Sequence, residues 1–286
     1  MTLQNTIKNA ELNYKNQIEK IVDDIIENSN IRLILVAGPS CSGKTTTSAT
    51  LSKLLFKKSG IKCHTISIDD FYKDVVFLPG ETFADKDFEA LDSLDLDLLH
   101  KCLHDLSLGK TVDIPLFDFE KTYRDGIRST ITLGEKDIAI IEGLHALNPA
   151  IYEGFVEKSK IKRIFLDCHD TNSSHKYERF IRRLVRDRNF RNADAFLTFT
   201  LWGKVIAGEE KHIYPFSGTA EYKVNTFHEY ETGILKPFAE KLLCEIDENN
   251  IFYEDAKKIS AYLENQKEIL PSDVVPGDSL LREFIG

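Results

Sequence analysis

The sequence contains no long apolar segment, and this absence limits the kinds of protein that it can encode. Charged residues at Lys8, Glu11, Lys15 and Glu19 interrupt the N-terminal region early, which excludes the apolar core of a signal peptide. No later run approaches the length that a membrane-spanning helix needs. We therefore expect a cytoplasmic protein that does not enter a membrane.

The sequence also lacks a cysteine pattern and an excess of positive charge. The 5 cysteines are scattered and include no Cys-x-x-Cys pair, so neither a disulfide framework nor a structural zinc site is expected. The 46 Asp and Glu residues outnumber the 37 Lys and Arg residues, and the formal net charge of −9 argues against nucleic acid or a membrane surface as a partner. With 286 residues, 42% of them hydrophobic, the chain can bury an ordinary core.

The sequence does contain a glycine-rich loop of the kind that binds phosphates. Residues 38–45 follow an apolar run at 33–37 and precede a helix predicted over 46–58. The glycines let backbone N–H groups surround phosphate oxygens, while Lys44 is expected to reach the β- and γ-phosphates and Thr45 to ligate Mg²⁺. We predict that a nucleoside triphosphate binds to this loop. The predicted contacts come from Gly38, Ser40, Cys41, Ser42, Gly43, Lys44, Thr45 and Thr46.

Four short apolar runs alternate with segments of helix length. These runs lie at residues 32–37, 63–68, 138–141 and 164–168. The alternation predicts an α/β fold with a central parallel sheet and helices on both faces. Since ligands of such sheets bind beyond the carboxyl ends of the strands, the residues that follow these runs are the candidate site.

The remaining segments are assigned around a main domain at residues 31–250. Residues 1–30 read as an amphipathic helix packed on that domain, with partner binding as the less favoured alternative. Residues 71–133 read as an insertion with a helix over 92–106 and strands over 111–115 and 127–133, joined by an Asp125-Gly126 turn. The insertion can supply an acceptor pocket or be a plain connecting lobe. Residues 251–286 read as a C-terminal extension ending in a docked apolar segment.

Two carboxylates follow predicted strands directly. Asp69 lies where a substrate hydroxyl would meet the γ-phosphate, so it is a candidate general base, although a cap or turn aspartate is an equal alternative from position alone. Glu142 has the same placement after residues 138–141 and could hold Mg²⁺ through water or orient Asp69. An exposed loop carboxylate is the alternative for Glu142.

Six arginines fall within residues 179–191 of an otherwise acidic protein. A helix there would align several of them on one face, where their planar groups suit phosphate oxygens. We interpret residues 179–194 as an arginine-rich lid, of which only some arginines touch phosphate. A solvated face of salt bridges is the alternative, but the acidic partners within the run are only Glu178 and Asp187.

Taken in order, five segments resemble the uridine kinase and phosphoribulokinase family. The likeness runs from about residue 31 to residue 230, and residues 278–286 are similar to the ending of a bacterial uridine-kinase-like branch. The five segments are residues 38–45, 68–73, 112–119, 141–144 and 182–187.

The resemblance implies transfer of the γ-phosphate of ATP, with Mg²⁺, to a primary hydroxyl. It implies that Asp69 is the general base, that Thr45 and Glu142 serve the metal and that Lys44 holds the phosphates. It also implies that Asp87 binds the ribose hydroxyls and that Tyr72 and Phe119 line the nucleoside pocket. Arg186 and Arg191 would then be lid arginines.

Three positions depart from the pattern of uridine-cytidine kinases, and they bear on base specificity. Those enzymes typically have Tyr at Phe117 and His at Thr122, both in contact with the pyrimidine, and a lid arginine at Ala193. A binding site that lacks these polar side chains distinguishes less strongly between one nucleoside base and another.

We therefore expect a P-loop kinase that phosphorylates the 5′-hydroxyl of a nucleoside, with uridine or cytidine as the first choice. Phosphoribulokinase-like or pantothenate-kinase-like transfer to a non-nucleoside alcohol is the first alternative. An ATP-binding regulatory module without kinase turnover is the second. Related enzymes often form oligomers, so a homo-oligomer stays an open alternative.

Overall fold

The computed structural model of the protein describes residues 2–81, 86–119, 121–169, 177–265 and 270–286. Its strands are β1 (Leu33–Ala37), β2 (Cys63–Ser67), β3 (Val112–Asp118), β4 (Tyr123–Ile131), β5 (Ile138–Glu142), β6 (Ile161–Asp167) and β7 (Tyr222–Asn225). Its helices are α1 (Leu3–Glu27), α2 (Lys44–Ser59), α3 (Leu96–Ser107), α4 (Pro149–Tyr152), α5 (Tyr177–Arg191), α6 (Ala195–His212), α7 (Glu231–Leu243), α8 (Tyr253–Glu264) and α9 (Arg282–Ile285).

Five strands form a parallel sheet in the order β2-β5-β1-β6-β7. Strand side chains alternate between the two faces, so Ile34 and Val36 of β1 join one buried cluster while Leu33 and Leu35 join the other. The first cluster is covered mainly by α1, α2, α5, α7 and α8, and the second by α3, α4 and the β3-β4 hairpin. The predicted α/β fold, with a parallel sheet covered on both faces, is confirmed.

The sheet has one strand more than the sequence predicted. The edge strand β7 reads Tyr-Lys-Val-Asn and buries only Val224, so it carries no apolar run. The predicted bounds of the other strands also shift slightly. β6 begins earlier, at Ile161, and β2 ends at Ser67, where a short 3₁₀ turn over Ile68–Phe71 begins.

The hairpin forms, but its turn was predicted at the wrong place. Asp125 and Gly126 lie inside β4, and the chain reverses between Asp118 and Tyr123 instead. Gly126, with φ of 95°, sits where the pairing register shifts opposite the Pro115 region of β3, so it serves a bulge and not a turn. Helix α3 also starts later than predicted, because the Asp95 side chain accepts a hydrogen bond from the Leu98 N–H and caps it.

The two ends of the described chain pack mainly on helices that cover the sheet, α1 on α2 and α9 on α5. Helix α1 buries one apolar face against α2 and β7, and Leu280, Leu281 and Phe284 are fully buried near the C-terminus. Residues 82–85 and 120 of the predicted insertion and 266–269 of the predicted extension lie outside the described residues. The division into domains stays a prediction. Within the described ranges, no helix combines the length and apolar character needed to cross a membrane.

Candidate active site

A cavity of about 450 Å³ opens at the carboxyl ends of β1, β2 and β5. The loop after β1 and the start of α2 contribute Ser40, Cys41, Gly43, Lys44 and Thr45, and Asp69 follows β2. Residues of α5, α6 and the C-terminal segment complete the wall, among them Arg186 and Glu283. The strand-end residues singled out in the sequence therefore lie in one place.

The phosphate loop depends on two glycines. A Cβ at Gly38 would lie 2.5 Å from the Leu166 carbonyl oxygen, and Gly43 has a φ of 82°, in the left-handed region that favours glycine. The Lys44 ammonium donates to the carbonyl oxygens of Gly38, at 2.9 Å, and Pro39, at 3.1 Å. The lysine thus lies across the mouth of its own loop, where phosphate oxygens would bind.

The other predicted contacts of the loop have different surroundings. Ser40 and Cys41 line the cavity, whereas Ser42 is fully buried, and its hydroxyl has no hydrogen-bond partner within the described part of the chain. The Thr46 hydroxyl, in the first turn of α2, donates a hydrogen bond to the Glu283 carboxylate at 2.6 Å.

Asp69 and Asp70 are adjacent carboxylates with different surroundings. Asp70 is buried, pairs with Arg128 of the hairpin and accepts a hydrogen bond from the Phe117 N–H at 3.4 Å. Asp69 lines the cavity, where burial raises the pKa of its carboxyl against the opposing charge of Lys44. Of the two carboxylates, only Asp69 lines the cavity.

Thr45 and Glu142 contact each other in the same cavity as Lys44. The Thr45 hydroxyl lies 3.5 Å from the Glu142 Oε1 atom. Burial, followed by the charge of Asp69, raises the pKa of Glu142 to about 7. Glu142 is therefore a buried carboxylate that gains from a nearby cation, and the exposed-loop alternative considered for it is wrong.

One part of the cavity wall is aromatic. Tyr72 and Phe119 line it, with ring centroids 5.8 Å apart, and the Tyr72 hydroxyl donates to the Phe88 carbonyl oxygen at 2.8 Å. Phe117 packs behind these rings and is buried, while Thr122 lies in the hairpin turn with φ of 63°. Neither Phe117 nor Thr122 lines the cavity of the described structure.

Glu89 is a residue that the sequence reasoning missed. Asp87 and Glu89 both line the cavity, but Asp87 is exposed, whereas burial and then the charge of Glu209 raise the pKa of Glu89 to about 7. The Glu89 Oε2 atom is buried without a hydrogen-bond partner among the described residues. A carboxylate between Phe88 and Ala90 was the available signal, since its apolar neighbours favour burial.

The arginines of α5 divide into two groups. Arg179, Arg182 and Arg188 are paired with carboxylates from distant parts of the chain, namely Glu209 at 2.8 Å, Glu231 at 2.6 Å and Glu245. The run itself does not predict these pairs, because their carboxylates lie outside residues 179–191. None of these three arginines lines the cavity, so half of the run is engaged in ion pairs elsewhere in the described structure.

Arg183, Arg186 and Arg191 line the cavity. All three surround Asp187, at 3.2, 2.6 and 3.8 Å respectively, and Arg183 also donates to the Ser40 hydroxyl at 2.9 Å. Three guanidinium groups that share one carboxylate leave a net positive wall beside the phosphate loop.

The phosphoribulokinase / uridine kinase family model matches residues 33–198, a span that includes the loop, Asp69, Glu142 and the arginines of α5. The chain belongs to this family. Uridine kinase from Mycoplasma genitalium is 34% identical over 176 residues, which cover 61% of this chain and 75% of that protein. Uridine kinase from Macrococcus caseolyticus is 32% identical over 159 residues, which cover 56% of this chain and 70% of that protein.

Solved structures show the same fold at low sequence identity. The protein YGR205w superposes with a TM-score of 0.52 at 17% identity and covers 74% of this chain and 91% of its own. The chain is accordingly a P-loop kinase of the phosphoribulokinase / uridine kinase family, and this family implies the use of ATP and Mg²⁺.

The residues at the phosphate loop of this kinase fit a magnesium ion. Mg²⁺ prefers oxygen ligands and is usually held by one or two carboxylates together with substrate phosphates. The Thr45 hydroxyl and the Glu142 carboxylate supply such oxygens 3.5 Å apart. The described residues contain no group of three or more His, Cys, Asp or Glu that could hold a metal.

Proposed function

We propose that this kinase transfers the γ-phosphate of Mg-ATP to the 5′-hydroxyl of a nucleoside, with Asp69 as the general base. Uridine or cytidine is the first choice of acceptor. The observation that carries the proposal is the position of Asp69, a carboxylate with a raised pKa in the same cavity as Lys44 and the arginines of α5. A base with a raised pKa accepts a hydroxyl proton more readily than an ordinary aspartate.

Each group then has a defined part in the transfer. Backbone N–H groups of the loop and Lys44 bind the β- and γ-phosphates, and Asp69 accepts the proton of the attacking hydroxyl. Mg²⁺ held by Thr45 and Glu142 would neutralise charge on the phosphate oxygens. Arg186 and Arg191 lie across the cavity, where they stabilise charge on the transferring phosphoryl group and exclude water.

The acceptor binds between aromatic rings and carboxylates. Tyr72 and Phe119 offer apolar faces for a flat base, whereas Asp87 and Glu89 offer acceptors for sugar hydroxyls. Glu89 is the better placed of the two carboxylates to discriminate, because its buried oxygen lacks a partner among the described residues.

The positions of Phe117 and Thr122 support a second class of acceptor. Phe117 lies behind Tyr72 and Phe119, and Thr122 lies in the hairpin turn, so neither offers the cavity a polar contact for a pyrimidine. Transfer to a non-nucleoside alcohol, of the phosphoribulokinase or pantothenate kinase type, is therefore the second candidate.

A panel assay with Asp69→Asn tests the proposal. Purified protein is mixed with Mg-ATP and uridine, cytidine, other nucleosides, pentose phosphates or pantothenate, and the product is identified by mass. We expect uridine or cytidine 5′-phosphate, and a loss of about 1,000-fold or more in kcat for Asp69→Asn with ATP binding retained. The control is Asp97→Asn, an exposed aspartate in the first turn of α3.

The outcomes separate the candidates. Turnover of another alcohol would keep the chemistry and replace the acceptor. ATP binding without acceptor-dependent turnover in the wild type would favour the regulatory module, and full activity of Asp69→Asn would remove Asp69 from the mechanism.

A further inference from the structure

Residues 279–286 are docked beside the phosphate loop. Leu280 and Phe284 are fully buried, and the Asn189 side chain of α5 donates to the Phe284 carbonyl oxygen at 2.9 Å. The Leu280 Cδ1 atom would lie only 2.4 Å from a Cβ built on Gly43. The segment is thus a fixed part of the wall that supports the loop.

Glu283 extends from this segment to the first turn of α2. Its Oε2 atom accepts a hydrogen bond of 2.6 Å from the Thr46 hydroxyl, and its side chain lines the same cavity as Lys44 and Arg186. A hydroxyl has one proton to donate, so Thr46 cannot donate to Glu283 and to a phosphate oxygen at once. The carboxylate also occupies the end of α2 whose partial positive charge attracts anions.

The negative charge of Glu283 acts on the side chains that are proposed to hold magnesium and phosphate. Burial and the charge of Asp69 raise the pKa of Glu142 to about 7, and the negative charge of Glu283 adds to this rise. For Arg186, burial acts to lower the pKa, while the charge of Asp187, assisted by that of Glu283, acts to raise it. Glu283 is therefore electrostatically coupled to both the metal side and the arginine side of the cavity.

A carboxylate in this position opposes each negative charge that a nucleotide brings. Magnesium cancels about two of the negative charges of a nucleoside triphosphate, so the repulsion is weaker for the complex than for the free nucleotide. We propose that Glu283 is a specificity-determining residue of the nucleotide site, whose carboxylate at Thr46 disfavours nucleotide that carries no magnesium. This inference rests on the proposed function, because it takes ATP as the ligand of the cavity.

Direct binding measurements without an acceptor test the inference. Calorimetry gives the Kd of ATP in EDTA and in excess Mg²⁺ for the wild type, Glu283→Gln and Glu283→Ala, both of which remove the charge. We expect the Kd of free ATP to fall about tenfold and that of Mg-ATP about threefold, so the preference for the complex shrinks. The glutamine amide of Glu283→Gln can still accept the hydrogen bond from the Thr46 hydroxyl. Melting temperatures check that each variant is folded.

Two variants control for shape and for general charge. Glu283→Asp keeps the charge and should keep the wild-type preference for Mg-ATP. Asp278→Asn removes a charge from an exposed position of the same region and should also leave the preference unchanged.

The results distinguish the inference from the proposed function. Suppose that the wild type binds Mg-ATP, but that Glu283→Gln and Glu283→Ala keep the wild-type preference for Mg-ATP over free ATP or bind both forms more weakly. The inference is then wrong and the proposed function stands. If the wild type binds neither form, the proposed function fails and the inference fails with it.

Discussion

Arg182 and Glu231 form a fully buried, two-pronged ion pair between α5 and α7. The Arg182 Nε atom donates to Oε1 at 2.8 Å and Nη2 donates to Oε2 at 2.6 Å, with the two side chains 0% and 1% exposed. The pair joins a helix that carries cavity arginines to the helix behind it. Its role is therefore structural, although Arg182 belongs to the arginine run.

Removal of one partner from this pair should destabilise the fold. Arg182→Met leaves the Glu231 carboxylate buried and unpaired, for which we expect a loss of about 3–5 kcal/mol in the free energy of unfolding. Urea denaturation measures the loss. A change below about 1 kcal/mol would show that Glu231 finds another partner.

Arg186→Met should lower activity and leave stability nearly unchanged, in contrast to Arg182→Met. Arg186 lies one turn further along α5 and lines the cavity, and its partner Asp187 retains Arg183 and Arg191. We expect kcat to fall about 100-fold or more while the free energy of unfolding changes by less than about 1 kcal/mol. Steady-state kinetics beside the same urea titration decide this, and an unchanged kcat would exclude Arg186 from the transfer step.

The rate of transfer should depend on the ionisation of Asp69. Burial raises the pKa of this carboxyl above the ordinary aspartate value of 3.8, and only the ionised form can accept a proton. We expect kcat/KM to fall tenfold per pH unit as the pH drops below that raised pKa. A pH profile measured in parallel with a stability profile checks this, and a rate that stays flat down to about pH 4 would contradict it.

Glu142→Gln should stabilise the free protein at high pH. The pKa of Glu142 is about 7 in the folded protein against 4.5 in the unfolded reference, so between these values the native state holds a proton that the unfolded state has released. Stability from this group is therefore present below pH 4.5 and lost as the pH rises through 7. We expect Glu142→Gln to exceed the wild type by about 1–3 kcal/mol at pH 8 and to match it near pH 4.5.

The same variant should lose activity, because the amide is a poorer ligand for Mg²⁺ than the carboxylate. Melting curves at the two pH values test the stability, and the Mg²⁺ dependence of kcat tests the function. Equal melting temperatures of Glu142→Gln and the wild type at pH 8 would contradict the buried-charge explanation.

Glu89→Gln should affect the acceptor and not ATP. Its buried Oε2 atom is without a partner in the described structure, so an acceptor hydroxyl gains a strong hydrogen bond there. We expect the KM of the acceptor to rise about tenfold while the KM of ATP stays constant. Asp87→Asn, at an exposed position of the same wall, provides the comparison, and a smaller effect of Glu89→Gln than of Asp87→Asn would reverse our ranking.

Much of the fold could be predicted from local patterns, and the exceptions have physical causes. Strand β7 was missed because an edge strand buries few side chains and needs no apolar run. The Asp125-Gly126 dipeptide favours a tight turn, but the same left-handed glycine conformation serves a bulge within β4. Local sequence does not distinguish these two uses.

Residue types and spacings within short segments were enough to predict the phosphate loop, the alternation of strands and helices, and the position of Asp69 after a strand. The ion pairs of Arg179 and Arg182 and the contact of Glu283 with Thr46, 237 residues away in the chain, could not be predicted in this way. A charged side chain takes its role from the charged and polar groups nearest to it in space. For Arg179, Arg182 and Glu283 that partner or neighbour comes from a distant element, which only the folded chain brings close.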